Sequence, residues 1–412
     1  MDATAAPRLW IASPRPDGLV TALAVAAMTR GRYAACHLVH ERSPAWDRTR
    51  WEEWRGSFAG VHPMPKVRAV RGVLGAGRYV RELRRRQGAL RVLGIGARDT
   101  ILCLGGTTNL ANALASAYPA VAKVLCLPAL FYADACRPAY TPGFRHTTAG
   151  WFQYRLLNWL GGVHRALHLK RRGASGDGVR LQRLKKNLSD VFQAVLVLSN
   201  DGRATLPPAG PRVFNARFPG PGDLVPLRLP AESRPGQIVV FFGTPFMLVR
   251  NLDPHHYAAI LNACLDYLRQ HHGASCRLVY RPHPAETSER RLLRLRGFIP
   301  QVDLEAAELY LLRHHEQIAA VYSVASTVSR TAFNYGLEGH AFWRLFPFAP
   351  PAAAFFEGLL GRVPAGFEIR SLDEPPVPCV PGEGAGPGFV DGLVAALDAA
   401  EKAVASTGRS PL

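Results

Sequence analysis

Residues 278–284 begin with an apolar run and end in residues suited to binding an anion, with the sequence Leu-Val-Tyr-Arg-Pro-His-Pro. The apolar run predicts a buried strand, which the prolines end at the point where Arg281 and His283 emerge. Residues two apart leave a strand on the same side, and the flanking prolines restrict the backbone at His283. A cation and an imidazole at such a strand end suit an anionic ligand, although a structural hydrogen bond is the alternative role for His283.

Two further apolar runs also end in polar residues. The first ends in Ser323, Ser326 and Thr327 and has the sequence Ala-Ala-Val-Tyr-Ser-Val-Ala-Ser-Thr. The second ends near Asp201 and has the sequence Ala-Val-Leu-Val-Leu-Ser-Asn-Asp-Gly. Ser326 and Thr327 begin a predicted helix, where hydroxyls and free amides can hold phosphate or simply cap the helix. Asp201 is a candidate general base, or it belongs to an ordinary Asn-Asp-Gly turn. A carboxylate, a histidine with arginine and a hydroxyl cluster together indicate group transfer from a nucleotide-activated donor.

A fourth run, Gln-Ile-Val-Val-Phe-Phe-Gly-Thr, opens onto Gly243 and Thr244, where a glycine lets a ligand approach the backbone closely. Another glycine turn, at 105–107, matches neither the dinucleotide-binding nor the P-loop pattern. We find no Asp-x-Asp pair and no carboxylate cluster that would hold a metal ion. We therefore predict no metal and no cofactor, so that protein groups must stabilise the charge of a leaving phosphate.

The elements that position these residues alternate along the chain. Strands are predicted at 8–13, 34–40, 100–104 and 123–127, and helices at about 18–30, 76–88, 254–271, 304–315 and 327–336. Strands alternating with helices indicate mainly parallel, doubly wound α/β sheets.

The length of the chain, 412 residues, favours two domains, because a single core rarely grows to this size. A proline- and glycine-rich stretch at about 206–236 is the predicted interdomain connection. We expect an N-terminal Rossmann-like domain at 1–220 and a C-terminal one at 221–375. The remaining tail and helix, at 376–412, could pack back on the N-terminal domain.

The formal net charge of +19 calls for an anionic partner. Basic residues at 151–186 follow aromatic and leucine positions at helical spacing, which predicts peripheral contact with an anionic membrane. A solvated helix face is the alternative. Because no nucleic-acid-binding module is recognisable, we expect no nucleic-acid partner.

Seven scattered cysteines without a CxxC pair favour reduced thiols in the cytosol. The N-terminus lacks the pattern of a signal peptide, and no apolar run reaches the length of a spanning helix. We therefore expect a cytoplasmic protein, peripheral at the inner face of the plasma membrane if the basic region contacts lipid.

These residues resemble bacterial sialyltransferases of the glycosyltransferase-B type, including lipooligosaccharide and polysialic acid enzymes. Those families carry an acidic-acidic-glycine motif, a His-Pro motif and a Ser-Ser/Thr motif in the same order. Here the corresponding segments are 199–202, 281–284 and 326–327. Asn200 departs from the pattern, since the family usually has a second acid at that position.

The resemblance implies a two-domain glycosyltransferase-B fold with the active site in the interdomain cleft. It implies that Asp201 deprotonates the acceptor hydroxyl, and that His283 binds or protonates the departing CMP phosphate. Glu305 resembles a family acidic residue near the nucleotide. The predicted catalytic residues are thus Asp201 and His283, and the predicted donor-binding residues are Arg281, Pro284, Ser323, Ser326, Thr327, Gly243, Thr244 and Glu305.

The leading functional hypothesis is an inverting, metal-independent transferase that moves sialic acid or a related nonulosonic acid from a CMP-activated donor to a cell-surface glycan. One alternative keeps the fold but uses CMP-Kdo or another nucleotide sugar in capsule or lipopolysaccharide synthesis. A second alternative is a non-catalytic basic protein that binds membrane or nucleic acid.

Overall fold

The protein is described by a computed structural model. The structure describes residues 6–13, 18–42, 46, 51–65, 85–86, 88–105, 109–128, 192–199, 212–224, 238–244, 252–283, 286, 291–302, 305–360, 363–379 and 387–406. Most of the predicted helix at 76–88 and the whole basic region at 151–186 lie outside these residues.

The strands are β1 Arg8–Ser13, β2 Ala35–Glu41, β3 Gly60–Met64, β4 Thr100–Leu104, β5 Ala122–Pro128, β6 Ala194–Leu198, β7 Arg212–Ala216, β8 Ile238–Phe242, β9 Arg277–Arg281, β10 Phe298–Pro300, β11 Ile318–Ser323 and β12 Glu338–Ala341. The helices are α1 Leu19–Met28, α2 Asn109–Ala117, α3 Pro221–Leu224, α4 Pro254–His272, α5 Ala307–Arg313, α6 Thr327–Asn334, α7 Pro350–Leu360 and α8 Phe389–Ser406. Short 3₁₀ helices span Trp51–Ser57, His315–Gln317 and Trp343–Leu345.

The described residues form two compact units, one containing those up to 217 together with 387–406, and the other containing those from 218 to 379. Within the first unit, the described strands form a parallel sheet in the order β3-β2-β1-β4-β5-β6-β7. Its central strands are apolar and buried along most of their length, as expected for a parallel sheet covered on both faces.

The C-terminal helix α8 completes the first unit by packing against β5, β6 and β7. Gly392 allows this close approach, because a Cβ there would lie 2.6 Å from the Cβ of Ala216. Glu401 anchors the helix further along, where its carboxylate accepts hydrogen bonds from the hydroxyls of Tyr33 (2.5 Å) and Thr100 (2.9 Å). Helix α8 is therefore an integral layer of the N-terminal sheet.

The second unit contains a parallel sheet with the described strand order β10-β9-β8-β11-β12. Its core joins this sheet to α4 and to the segment that follows β12, through Phe241, Tyr257, Leu265 and Phe342. Asp253 precedes helix α4 and caps it, because its carboxylate accepts the N–H of His256, and a proline occupies the first helical position.

The prediction of two Rossmann-like α/β sheets is confirmed. One prediction about the connecting segment needs correction, because the stretch at 206–236 is not only a linker. It contains β7, the last strand of the N-terminal sheet, and the short helix α3. Proline and glycine around these elements concealed them, because β7 is an edge strand with a short and partly exposed sequence.

Candidate functional site

Three of the predicted segments leave the second sheet side by side at its carboxyl edge. The register pairs Arg281 at the end of β9 with Phe242 at the end of β8, and Phe242 with Ser323 at the end of β11. The strand order reverses between β8 and β11, since β9 and β10 lie on one side and β12 lies on the other. Open α/β sheets bind ligands at this switch point, beyond the carboxyl ends of the strands.

The turn after β8 brings buried polar groups to this edge. The backbone N–H of Gly243 donates to the carbonyl of Arg281 at 2.8 Å, which ties the ends of β8 and β9 together. Thr244 is 5% exposed, and its Oγ1 has no hydrogen-bond partner among the described residues. A buried hydroxyl in this state can donate to, or accept from, a ligand that enters the edge.

His283 lies just beyond β9 and is exposed. Its backbone is fixed by Glu286, because the His283 N–H donates to Oε2 of Glu286 at 2.9 Å and the Glu286 N–H donates to the His283 carbonyl at 2.8 Å. Desolvation lowers the pKa of His283, which favours a neutral imidazole before any ligand binds. An anionic phosphate beside the ring would raise this pKa again.

Arg281 is held inside the unit and is only 5% exposed. Its guanidinium lies over the ring of Tyr310, 4.0 Å from the centroid, and 5.5 Å from that of Phe242. Nη2 donates to the backbone carbonyl of Glu305 at 3.1 Å. The positive charge of Arg281 is thus buried at the end of β9. Stacking and this hydrogen bond set the orientation of the guanidinium.

The carboxylate of Glu305, predicted to lie near the nucleotide, is turned toward Arg313. Oε1 accepts from Nε and Nη2 of Arg313 at 3.0 and 2.8 Å, and the Glu305 side chain is 4% exposed. The backbone of Glu305 adjoins Arg281, so the residue lies near the predicted cation. In this arrangement its carboxylate is engaged in an ion pair, and a direct contact with nucleotide stays a prediction.

The hydroxyls after β11 have different roles. Ser323 is fully buried, and its Oγ forms a hydrogen bond with that of Ser329 at 2.7 Å and accepts from the N–H of Ser326 at 3.1 Å. Ser326 caps α6 by accepting the N–H of Val328 at 3.2 Å. Thr327 is exposed at the first position of the helix. Ser323 and Ser326 therefore shape the turn, and Thr327 presents its hydroxyl at the helix N-terminus, where the dipole favours anions.

Glu286 and Tyr280 belong to this site, and sequence reasoning missed them. Glu286 Oε1 accepts from the Tyr280 hydroxyl at 2.5 Å, in addition to its contact with His283. The signal was present as a glutamate three residues after His283 with a proline next to the histidine, the spacing of a capping box.

Asp201, Asn200 and Pro284 lie outside the described residues. In the sequence, Asp201 comes three positions after Leu198, the last residue of β6. Its role as a base, and those of the other site residues, stay predictions.

No cluster of three or more histidine, cysteine, aspartate or glutamate side chains suited to a metal ion occurs within the described ranges. In the same part of the chain, no helix combines the length and apolarity needed to span a membrane.

No protein-family model matches the sequence, and no curated protein matches it. Among solved structures, a glycotransferase of kitacinnamycin is similar over 97% of this chain and 92% of its own, at 14% identity and a TM-score of 0.49. A UDP-glucosyltransferase from Polygonum tinctorium is similar over 99% and 96%, at 12% identity and a TM-score of 0.47. The E. coli ADP-heptose LPS heptosyltransferase II is similar over 96% and 99%, at 10% identity and a TM-score of 0.38. Identities and scores this low carry no argument about activity.

Proposed function

We propose that the protein is a glycosyltransferase that binds the phosphate of a nucleotide-activated sugar at the carboxyl edge of its second sheet. One observation carries this proposal: the register aligns the ends of β9, β8 and β11, so that three polar segments separated in sequence meet at the switch point. A parallel sheet with polar groups converging at that point is a suitable nucleotide site.

Within this site we assign the phosphate to His283, Thr327 and the N-terminus of α6. The buried hydroxyl of Thr244, after β8, is a further group that can form a hydrogen bond with the ligand. His283 and Thr327 are exposed, whereas Arg281 contributes positive charge from its buried position. Charge accumulates on the phosphate as the glycosidic bond to it breaks, so these groups stabilise the transition state more than the ground state.

The donor that we propose is a CMP-activated sialic acid or related nonulosonic acid, and the acceptor is a glycan hydroxyl. The support is the order of the Asn-Asp-Gly, His-Pro and Ser-Thr segments. In this mechanism Asp201 takes the proton of the acceptor hydroxyl, the freed oxygen bonds to the anomeric carbon, and the bond from that carbon to the CMP phosphate breaks. Displacement in one step inverts the anomeric configuration. The proposed reaction needs no metal ion.

A donor screen tests this proposal. The purified protein is incubated with CMP-sialic acid, CMP-Kdo, UDP-glucose and GDP-mannose in the presence of glycan acceptors, with and without EDTA. We expect acceptor-dependent release of CMP from CMP-sialic acid that EDTA does not inhibit. Turnover of another donor alone would replace the sialyltransferase assignment and keep the glycosyltransferase one.

The second candidate function, a non-catalytic basic protein, rests on the net charge of +19. It predicts binding to anionic vesicles or to nucleic acid that weakens steeply as salt rises, without turnover of any donor. Cosedimentation with vesicles at 50 and 300 mM salt, beside the donor screen, separates it from a membrane-associated enzyme.

A further inference from the structure

A carboxylate that the proposed mechanism does not use connects the polar segments at the end of β9. Glu286 accepts a hydrogen bond from the Tyr280 hydroxyl through Oε1 (2.5 Å) and one from the N–H of His283 through Oε2 (2.9 Å). Its own N–H donates to the His283 carbonyl at 2.8 Å. The two residues thus close a ring of two hydrogen bonds, and Tyr280, a fully buried residue of β9, fixes one side of it.

The end of β8 is shaped to admit this carboxylate. A Cβ at Gly243 would lie 2.2 Å from Oε2 of Glu286 and 2.9 Å from the Tyr280 hydroxyl, so any larger residue would occupy the space of the Glu286 side chain. Gly243 also donates its N–H to the carbonyl of Arg281. Glu286 therefore lies against the ends of both β8 and β9.

The charge of Glu286 argues against a direct contact with the donor. A carboxylate repels a phosphate at short range, and here each of its oxygens accepts a hydrogen bond from a protein donor. Glu286 therefore affects a bound phosphate through the positions of the residues that it contacts.

We propose that Glu286 is a positioning residue, which fixes the backbone of His283 so that the imidazole is presented at the carboxyl edge of the sheet. The inference rests on the proposed function, because presentation matters only if His283 contacts the nucleotide phosphate. Glutamine can keep both contacts, since its carbonyl accepts from the His283 N–H and its amide donates to the tyrosine oxygen. Alanine can keep neither.

Calorimetric titration with CMP compares the full-length protein with Glu286→Ala, Glu286→Gln and a control, Glu316→Ala. Glu316 is an exposed acid of the same unit, with 74% of its side chain accessible. We expect Glu286→Ala to weaken CMP binding at least tenfold, and Glu286→Gln and the control to stay within threefold of the unsubstituted protein. Equal CMP affinity of Glu286→Ala and the unsubstituted protein would overturn the inference and leave the proposed function standing.

A second measurement decides the inference even if no nucleotide binds. Amide exchange of His283 is followed by NMR with ¹⁵N-histidine labelling, and the signal is assigned by its loss in His283→Gln. We expect the His283 amide to exchange at least tenfold faster in Glu286→Ala, with the amide of His256 at the start of α4 unchanged. An unchanged His283 rate would refute the positioning role, whereas failure to bind CMP, UDP or GDP with the expected exchange rates would count only against the proposed function.

Discussion

The residues of the predicted site divide into those that are buried within the sheet edge and those that are exposed at it. Ser323 and Arg281 are buried and contact neighbouring groups, whereas His283 and Thr327 are exposed at the same edge. The sequence could place all four at strand or helix ends, because apolar runs and prolines mark those ends. It could not assign their partners, since one partner of Ser323 is a serine on α6 and the nearer aromatic ring beside Arg281 is that of Tyr310 on α5.

Substitution of the two hydroxyl residues at this edge, Ser323 and Thr327, should have different effects on stability and on nucleotide binding. Ser323→Ala leaves the buried Ser329 hydroxyl and the Ser326 N–H without this partner, so we expect a loss of about 1–3 kcal/mol in the free energy of unfolding. Thr327→Ala should change that free energy by less than about 0.5 kcal/mol, because the side chain is exposed. It should nevertheless weaken nucleotide binding several-fold. Urea unfolding and CMP titration measure both quantities, and the reverse pattern would contradict the division of roles.

The arginines at the two ends of β9 form a matched pair. Arg281→Lys keeps the positive charge but loses the planar stacking over Tyr310 and the geometry of the hydrogen bond to the Glu305 carbonyl. We therefore expect the free energy of unfolding to fall by about 1–3 kcal/mol. Arg277 is exposed at the first position of the same strand, and Arg277→Lys should stay within about 0.5 kcal/mol. Melting temperatures of both variants test this, and equal destabilisation would argue against the buried role of Arg281.

At the scale of elements, the strands that the sequence predicted are the central ones. Among the strands that it missed, β3, β7 and β12 all lie at sheet edges. Central parallel strands are covered on both faces and read as apolar runs, whereas edge strands tolerate proline, glycine and charge. The sequences Gly-Val-His-Pro-Met, Arg-Val-Phe-Asn-Ala and Glu-Gly-His-Ala therefore lack the apolar signal. The carboxyl edge could be predicted because the strands that form it are β8, β9 and β11.

Substitution of Gly243, at the end of β8, tests whether the site needs the close contact between this residue and Glu286. Gly243→Ala forces Glu286 from its position, so we expect a stability loss of about 1–3 kcal/mol from overpacking and a loss of CMP affinity comparable to that of Glu286→Ala. Gly220 of the same unit has open space around its Cβ position, and Gly220→Ala serves as the control. Unchanged CMP binding by Gly243→Ala would show that the close approach is not needed for the site.

At the scale of the whole molecule, the first unit contains strands from residues 8–216 and a helix from residues 389–406. Helix α8 covers β5, β6 and β7, and Glu401 ties it to Tyr33 and Thr100. Composition and alternation could predict two α/β units, because these features are distributed over many residues. The pairing of Glu401 with residues about 300 or more positions away could not be read from local patterns.

The stability of the first unit should depend on pH through His37 and His62. Their Nδ1 and Nε2 atoms lie 3.3 Å apart, and Trp10 stacks on His37 with the ring centroids 4.2 Å apart. Desolvation lowers the pKa of both residues, and for His37 the proximity of His62 and Arg8 lowers it further. The folded state therefore binds fewer protons than the unfolded state, whose histidine pKa is about 6.5.

Accordingly, the melting temperature should be insensitive to these groups above pH ~6.5 and should fall as the pH drops below that value toward the folded pKa values. His62→Gln should flatten this dependence, because one of the two groups no longer takes up a proton on unfolding. Calorimetric scans between pH 5 and 8 measure the slope. Identical slopes for the variant and the unsubstituted protein would exclude this pair as its source.

The central claim, sugar transfer from a nucleotide donor held at the carboxyl edge of the second sheet, is tested most directly by acceptor-dependent release of CMP from CMP-sialic acid. The account predicts that the full-length protein releases CMP, that Asp201→Ala lowers kcat about 10²–10⁴-fold with CMP affinity retained, and that His283→Ala weakens CMP binding. Release that is unchanged by both substitutions, or the absence of release from every nucleotide sugar tried, would contradict it.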